Sequence, residues 1–253
     1  MNIAVITGAS SGMGREFVLA LDKQFAYDEI WVIARRRDRL EALQESVRSK
    51  IRAVPMDLTD MAAIDGFKEL LEREKPIIKT LVNCSGFGKF EAFENISLEH
   101  YNSMIDLNCK AYVAMTYVCL PYMAEGSEVY QLDSLSSFQP VPYINVYGAT
   151  KAFVLSFSRA LNVELKKRKI KVMAVCPGWV KTEFFDHAVT DESVITYYNK
   201  IWLPEQVIAR ALRDMKRGKD VSVLGASIRF QVFLTKILPH KLVMKIWCKQ
   251  QKK

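Results

Sequence analysis

Short apolar runs punctuate this chain at regular intervals. They lie at Ile3–Ile6, Ile30–Ala34, Ile51–Pro55, Thr80–Val82, Val129–Leu132, Val172–Val175 and Val221–Leu224. Most are dense in Val, Ile and Leu and lack alternation, the pattern of strands buried on both faces. Between them the apolar residues recur at helical spacing, as in Arg15–Phe25, Arg36–Val47, Ala62–Glu74 and Ala149–Arg168. Alternating strands and helices predict an α/β fold, a doubly wound parallel sheet flanked by helices. Right-handed crossovers then place helices on both faces, and ligands bind beyond the carboxyl ends of the strands.

Composition narrows this picture. The 253 residues are 50% hydrophobic and 25% charged, as in ordinary globular proteins. No linker or repeat breaks the chain, so one catalytic domain over residues 1–225 is expected, followed by a tail over 226–253. Net charge is +8, and seven of those charges lie beyond Asp220, the last acidic residue. They are Arg229, Lys236, Lys241, Lys245, Lys249, Lys252 and Lys253. A near-neutral body argues against a nucleic-acid partner. Five scattered cysteines without paired spacing suggest reduced thiols. With no leader pattern and no apolar run of membrane-spanning length, a cytoplasmic protein is expected.

The first strand runs into Thr7-Gly8-Ala9-Ser10-Ser11-Gly12-Met13-Gly14, and a helix follows at once. Small residues here let a pyrophosphate reach the backbone, and the helix N-terminus supplies N–H donors and partial positive charge. The second strand ends in Ala34-Arg35-Arg36-Arg37, with no acid before Asp38. An acid at this point grips a ribose 2′-hydroxyl, whereas an arginine accepts a 2′-phosphate. NADP(H) is therefore the expected cofactor, held first by Arg35 and second by Arg36.

Tyr147-Gly148-Ala149-Thr150-Lys151 opens a long helix and sets Tyr147 beside Lys151 on one face. A free phenol is too weak a base at neutral pH, and a neighbouring ammonium lowers its pKa. Ser134, thirteen residues before Tyr147, follows a buried strand and can bond the reacting oxygen. Ser136 competes for that role. His100, His187 and His240 show no metal-ligand spacing, so no metal is expected.

Taken together, these motifs resemble the short-chain dehydrogenase/reductase family from residue 1 to about residue 224. The resemblance rests on Thr7–Gly14, Asp57-Leu58, Asn83-Cys84-Ser85-Gly86, Asn108, Ser134, Tyr147/Lys151 and Pro177-Gly178 followed by Thr182. It implies a Rossmann-like single domain, an oxidoreductase interconverting an alcohol and a carbonyl, and a homodimer or homotetramer. It implies Tyr147 as general acid/base, Lys151 on the nicotinamide ribose, Ser134 polarising the carbonyl and Asn108 holding a proton-relay water. Asp57 with Leu58 would meet the adenine. Asn83 would support the strand, with Ser85 and Gly86 passing the cofactor. Pro177, Gly178, Val180 and Thr182 would lie at the nicotinamide. The chain departs from the family's usual Asn-Asn-Ala-Gly in having Cys84 and Ser85.

A lid is expected over 183–203, rich in aromatics. With Phe138, Tyr143, Trp179 and Phe185 it predicts a hydrophobic substrate such as a lipid, steroid or aromatic carbonyl. A non-catalytic NADP(H)-binding regulator is the alternative, and retention of Ser134, Tyr147 and Lys151 speaks against it. The tail reads as two amphipathic pieces, Ile228–Leu238 and Lys241–Cys248, split by Pro239. Either it meets a membrane surface peripherally, or it packs on the body or a second subunit.

Overall fold

The computed structural model describes residues 1–189 and 194–253. Its elements run β1 (Asn2–Thr7), α1 (Gly12–Gln24), β2 (Glu29–Ala34), α2 (Arg37–Glu41), β3 (Lys50–Pro55), α3 (Met61–Glu74) and β4 (Ile77–Asn83). The second half runs α4 (Leu98–Ile105), α5 (Ala111–Cys119), β5 (Met123–Leu132), α6 (Asn145–Glu164), β6 (Lys171–Val175), β7 (Trp179–Val180) and α7 (Phe184–Ala188). β8 (Ile201–Trp202), α8 (Pro204–Lys216), β9 (Val221–Ser222), α9 (Ala226–Ile237) and α10 (His240–Gln250) complete it.

Seven strands form one parallel sheet in the order β3-β2-β1-β4-β5-β6-β9. The order reverses between β1 and β4, so the crevice beyond their carboxyl ends is the switch point. Strand geometry divides the apolar runs between two cores. Ala4, Ile6, Ile30 and Val32 face α1 and α8, against Phe17, Leu21, Ile208 and Met215. Ile3, Val5, Trp31 and Ile33 face the other way, against Phe67 and Leu71 of α3, Met115 of α5 and Leu161 of α6. The Rossmann-like fold is thus the expected one, in a single domain.

Two elements differ from the sequence reading. The helix expected over Arg36–Val47 is α for only five residues and then tightens to a 3₁₀ turn at Ala42–Ser46. The buried Asp22 carboxylate stops it, accepting Arg48 N at 3.0 Å and Ser49 N at 2.8 Å and turning the chain into β3. The last strand pairs through two residues only, Ala174 with Val221 and Val175 with Ser222. Residues 98–119 are helical, interrupted by a π turn at Asp106–Lys110 that carries Asn108 inward. The tail is α9 and α10. Ile228, Thr235, Val243 and Gln251 are buried against the body, while Phe230, Phe233, Ile237, Leu242 and Ile246 stay exposed.

Candidate active site

A cavity of about 960 Å³ runs along the switch point, from the β1–α1 loop to the aromatic residues under α7 and α10. At its phosphate end Gly8 takes φ +67°, and a Cβ there would lie 2.8 Å from the Cys84 carbonyl oxygen. A Cβ on Gly14 would collide with the Gly8 carbonyl. Only glycine lets the loop fold this tightly onto the start of α1, which leaves a cradle lined by Ser10, Ser11, Gly12 and Met13. The Thr7 hydroxyl accepts from Cys84 N at 2.9 Å and Ser85 N at 3.2 Å, fixing Ser85 and Gly86 beside the cradle. These features fit a dinucleotide pyrophosphate.

Arginines border this end. Arg36 donates to Ser10 Oγ at 3.1 Å, Ser11 Oγ at 3.0 Å and the Glu183 carboxylate at 3.2 Å. Arg39 holds the other Glu183 oxygen at 2.7 Å. Arg35 is exposed on the cavity wall. Burial alone would raise the Asp57 pKa; bonds from Thr59 and the Arg35 charge outweigh it and hold the carboxyl low. Asp57 and Leu58 both line the cavity, as do Pro177, Gly178, Val180 and Thr182. Arg36, ranked second from sequence, is thus the arginine bonded to the phosphate loop.

The chemistry-bearing residues converge where α6 meets the end of β5. Tyr147 is buried, with Ser134 close enough to act on its phenol. Ser136, the competitor, also lines the cavity, and its buried hydroxyl has no partner. Lys151 lies one turn along α6, its Nζ donating to the Leu132 carbonyl at 2.9 Å and sitting 5.7 Å from the Tyr147 ring centre. Burial pushes the Tyr147 phenol above its ordinary range, and nearby Asp133 adds to this against the lowering effect of Ser134. Desolvation outweighs the Ser134 contribution and favours the protonated phenol. Burial lowers the Lys151 pKa, opposed chiefly by Asp133. Cys84, Cys109 and Cys176 also surround this ammonium. Asp133 is fully enclosed, and burial raises its pKa to about 7 against the opposing Lys151 charge. Its Oδ2 accepts from Cys176 Sγ at 3.3 Å, while Oδ1 has no partner.

Two residues expected at the site stand behind its wall. Asn83 donates to Thr116 Oγ1 and Gln131 Oε1, both at 3.0 Å, and does not reach the cavity. It ties β4 to β5 and α5. Asn108 is wholly buried, donating to the Phe87 carbonyl at 2.9 Å and Thr150 Oγ1 at 3.1 Å and accepting from Phe87 N at 3.2 Å. Its side chain clamps the Gly86–Phe87 turn to α6.

At the other end of the cavity the walls are aromatic. Phe90 and Phe184 pack 5.5 and 5.6 Å from the Tyr147 ring, and Trp179 packs on Phe185 at 5.6 Å. Trp179 and Phe185 line the cavity as expected; Phe138 and Tyr143 do not. Phe138 turns back to pack with Val223 and Ile228. Tyr143, at φ +67°, packs behind the wall under Lys253. Val141 and Ile144 of the same loop take their place. Residues not expected at the site also reach the cavity: Phe90, His100 and Ser103, with Gln231, Trp247 and Gln250 from the tail helices. Part of the expected lid, residues 190–193, lies outside the described residues.

The short chain dehydrogenase family profile matches residues 2–193. Sulfoacetaldehyde reductase 2 of Chromohalobacter salexigens is 34% identical over 192 residues, 72% of this chain and 74% of that protein. An NADP-dependent 3-hydroxy acid dehydrogenase of Salmonella typhi is 34% identical over 188 residues, 72% of this chain and 74% of its own. Among solved structures, a short-chain dehydrogenase from Sphingobium yanoikuyae in complex with NADPH superposes with a TM-score of 0.79 at 26% identity. That match covers 94% of this chain and 97% of the other. Sheet order, glycine cradle, Ser–Tyr–Lys cluster and sequence agree: the chain belongs to the short-chain dehydrogenase family and is an oxidoreductase.

Proposed function

We propose that this protein interconverts a secondary alcohol and a ketone or aldehyde with NADP(H), on a hydrophobic substrate. The observation that carries this reading is the position of Tyr147. Its phenol, beside Ser134, stands where the glycine cradle and Arg36 give way to the aromatic end of one cavity. The bound cofactor supplies or accepts a hydride. In the reductive direction negative charge builds on the substrate oxygen, where the Ser134 and Tyr147 hydroxyls both donate. Tyr147, held protonated by burial, then delivers its proton to that oxygen. Lys151, anchored to Leu132, places a positive charge behind the phenolate that remains. Arg36 on Ser10 and Ser11, with Arg35 beside it, supports a 2′-phosphate and so NADP(H) over NAD(H). Phe90, Trp179, Phe184 and Phe185 support an apolar substrate.

Peripheral contact with an anionic membrane surface belongs to the same reading. Phe230, Phe233 and Ile237 of α9 and Leu242 and Ile246 of α10 face outward among the lysines of a segment without acids. A homodimer or homotetramer assembled through other faces, such as exposed Tyr117 and Val163, is compatible with it. Cytoplasmic residence is supported by five unpaired cysteines.

The test is cofactor binding and turnover together. NADPH and NADH are titrated into wild type and Tyr147→Phe, and a panel of lipophilic and polar carbonyls is screened by nicotinamide absorbance. Both proteins should bind NADPH more tightly, and only wild type should reduce the lipophilic carbonyls. Equal turnover by Tyr147→Phe, tighter NADH binding, or preference for polar sugars refutes the corresponding part.

A further inference from the structure

Gln251 is the last buried residue of the chain, at 0% exposure. Its amide is fully engaged with one short segment. Oε1 accepts from Thr196 N at 2.8 Å and Tyr197 N at 3.0 Å, and Nε2 donates to the Tyr197 carbonyl at 3.3 Å. The Thr196 hydroxyl donates to the Gln251 carbonyl at 3.1 Å. One turn earlier on α10, Trp247 donates from Nε1 to the Pro142 carbonyl at 3.1 Å. Pro142 belongs to the loop between Ser134 and Tyr147. A single helix end therefore ties two loops that border the cavity, one before Tyr147 and one after α7.

Between those ties the helix faces the cavity. Trp247 and Gln250 line it, together with Tyr197, and the Trp247 indole packs on the same apolar cluster as Phe90 and Tyr147. A surface helix that merely covers the body has no need of a buried amide with three hydrogen bonds and a fourth at its backbone carbonyl. A buried amide that lost them would forfeit several bonds and leave polar groups unpaired. The arrangement fixes where the indole stands.

We propose that α10 is a wall of the substrate pocket, with Trp247 the residue that limits the size of the apolar substituent beside the reacting carbonyl. Gln251 is its positioning residue, acting through Thr196, Tyr197 and the helix end. This rests on the carbonyl-reductase reading above and narrows its substrate class. The substrate carries a compact apolar group that ends against the indole, and bulkier ketones are excluded by Trp247, not by the cofactor end of the cavity.

The test compares wild type, Trp247→Ala, Trp247→Phe and Gln251→Ala on small and bulky aryl ketones, with NADPH affinity and hydrogen exchange measured on each protein. Trp247→Ala should shift the bulky-to-small ratio of kcat/KM toward bulky by about tenfold or more. Trp247→Phe should fall between, and NADPH affinity should change less than about twofold. Gln251→Ala should speed exchange at the Thr196 and Tyr197 amides by about tenfold or more and raise KM with kcat little changed. An unchanged ketone ratio in both Trp247 variants overturns the specificity role. Unchanged exchange at Thr196 and Tyr197 overturns the positioning role. A wild type that binds NADPH but reduces no ketone overturns the carbonyl-reductase reading instead, which the exchange result alone cannot do.

Discussion

Asp133 offers the sharpest test of the electrostatics around the active lysine. It stands next to Ser134 in sequence, is fully enclosed, and has one oxygen on Cys176 and the other unpartnered. Burial raises its pKa from 3.8 to about 7. The sign of the effect follows from linkage. An acid whose folded pKa is raised stabilises the fold below its unfolded pKa, and that stability is lost as pH rises through the folded value. Between pH 5 and 8 the penalty should grow by about 2.5 kcal/mol, with one pKa step worth about 1.4 kcal/mol. Asp133→Asn removes the titration but keeps an acceptor for the Cys176 thiol. The unfolding free energy of wild type minus variant should therefore fall by about 2.5 kcal/mol across that range, several degrees in Tm for a domain of this size. Urea unfolding of both proteins at pH 5, 6, 7 and 8 measures it. A flat difference would mean that Asp133 does not titrate in this window. That is the outcome if the Lys151 charge outweighs burial and keeps the carboxylate ionised, because its titration would then lie below pH 5.

Further predictions follow from the phosphate end. Arg36→Ala should weaken NADPH binding by about 1.5–3 kcal/mol and leave NADH within about threefold, measured by fluorescence titration. Glu183→Gln frees Arg36 and Arg39 from a competing carboxylate and should tighten NADPH severalfold, an effect that fades with added salt. Gly14→Val drives a side chain into the Gly8 carbonyl and should abolish binding of both cofactors; a variant with native affinity would refute the cradle. Asn83→Ala should cost about 1–3 kcal/mol in urea unfolding, with cofactor affinity retained after allowance for stability, because its partners are Thr116 and Gln131.

The parts legible in the sequence are those in which a local pattern carries the physics. Apolar runs located the strands because a parallel sheet buries both faces. The Gly8–Gly14 string revealed the cradle because only that composition permits the turn. Tyr147 and Lys151 were readable because four residues make one helical step. What stayed hidden depends on side-chain direction or long-range closure. Phe138 and Tyr143 sit on the expected loop, but a 3₁₀ turn and a left-handed residue aim them elsewhere, and Val141 and Ile144 face the cavity. Asn108 and Asn83 matched the family pattern while their hydrogen bonds close inward. Trp247 meets Pro142 across more than a hundred residues of chain, beyond any periodicity. Between the two readings of the tail, its inner faces pack on the body and its outer faces stay bare.

The thiols around Lys151 have a chemical consequence. Burial raises Cys84 to about 12 and Cys109 to about 11, and Cys176 also lies well above its ordinary value. A thiolate is the form that attacks alkylating agents, reacts with peroxides and exchanges with disulfides. Sulfur atoms held neutral beside the ammonium are therefore slow nucleophiles in the folded protein. Cys84 and Cys176 are buried and Cys109 only partly so, and the order in which these three become labelled should report the opening of the active site itself.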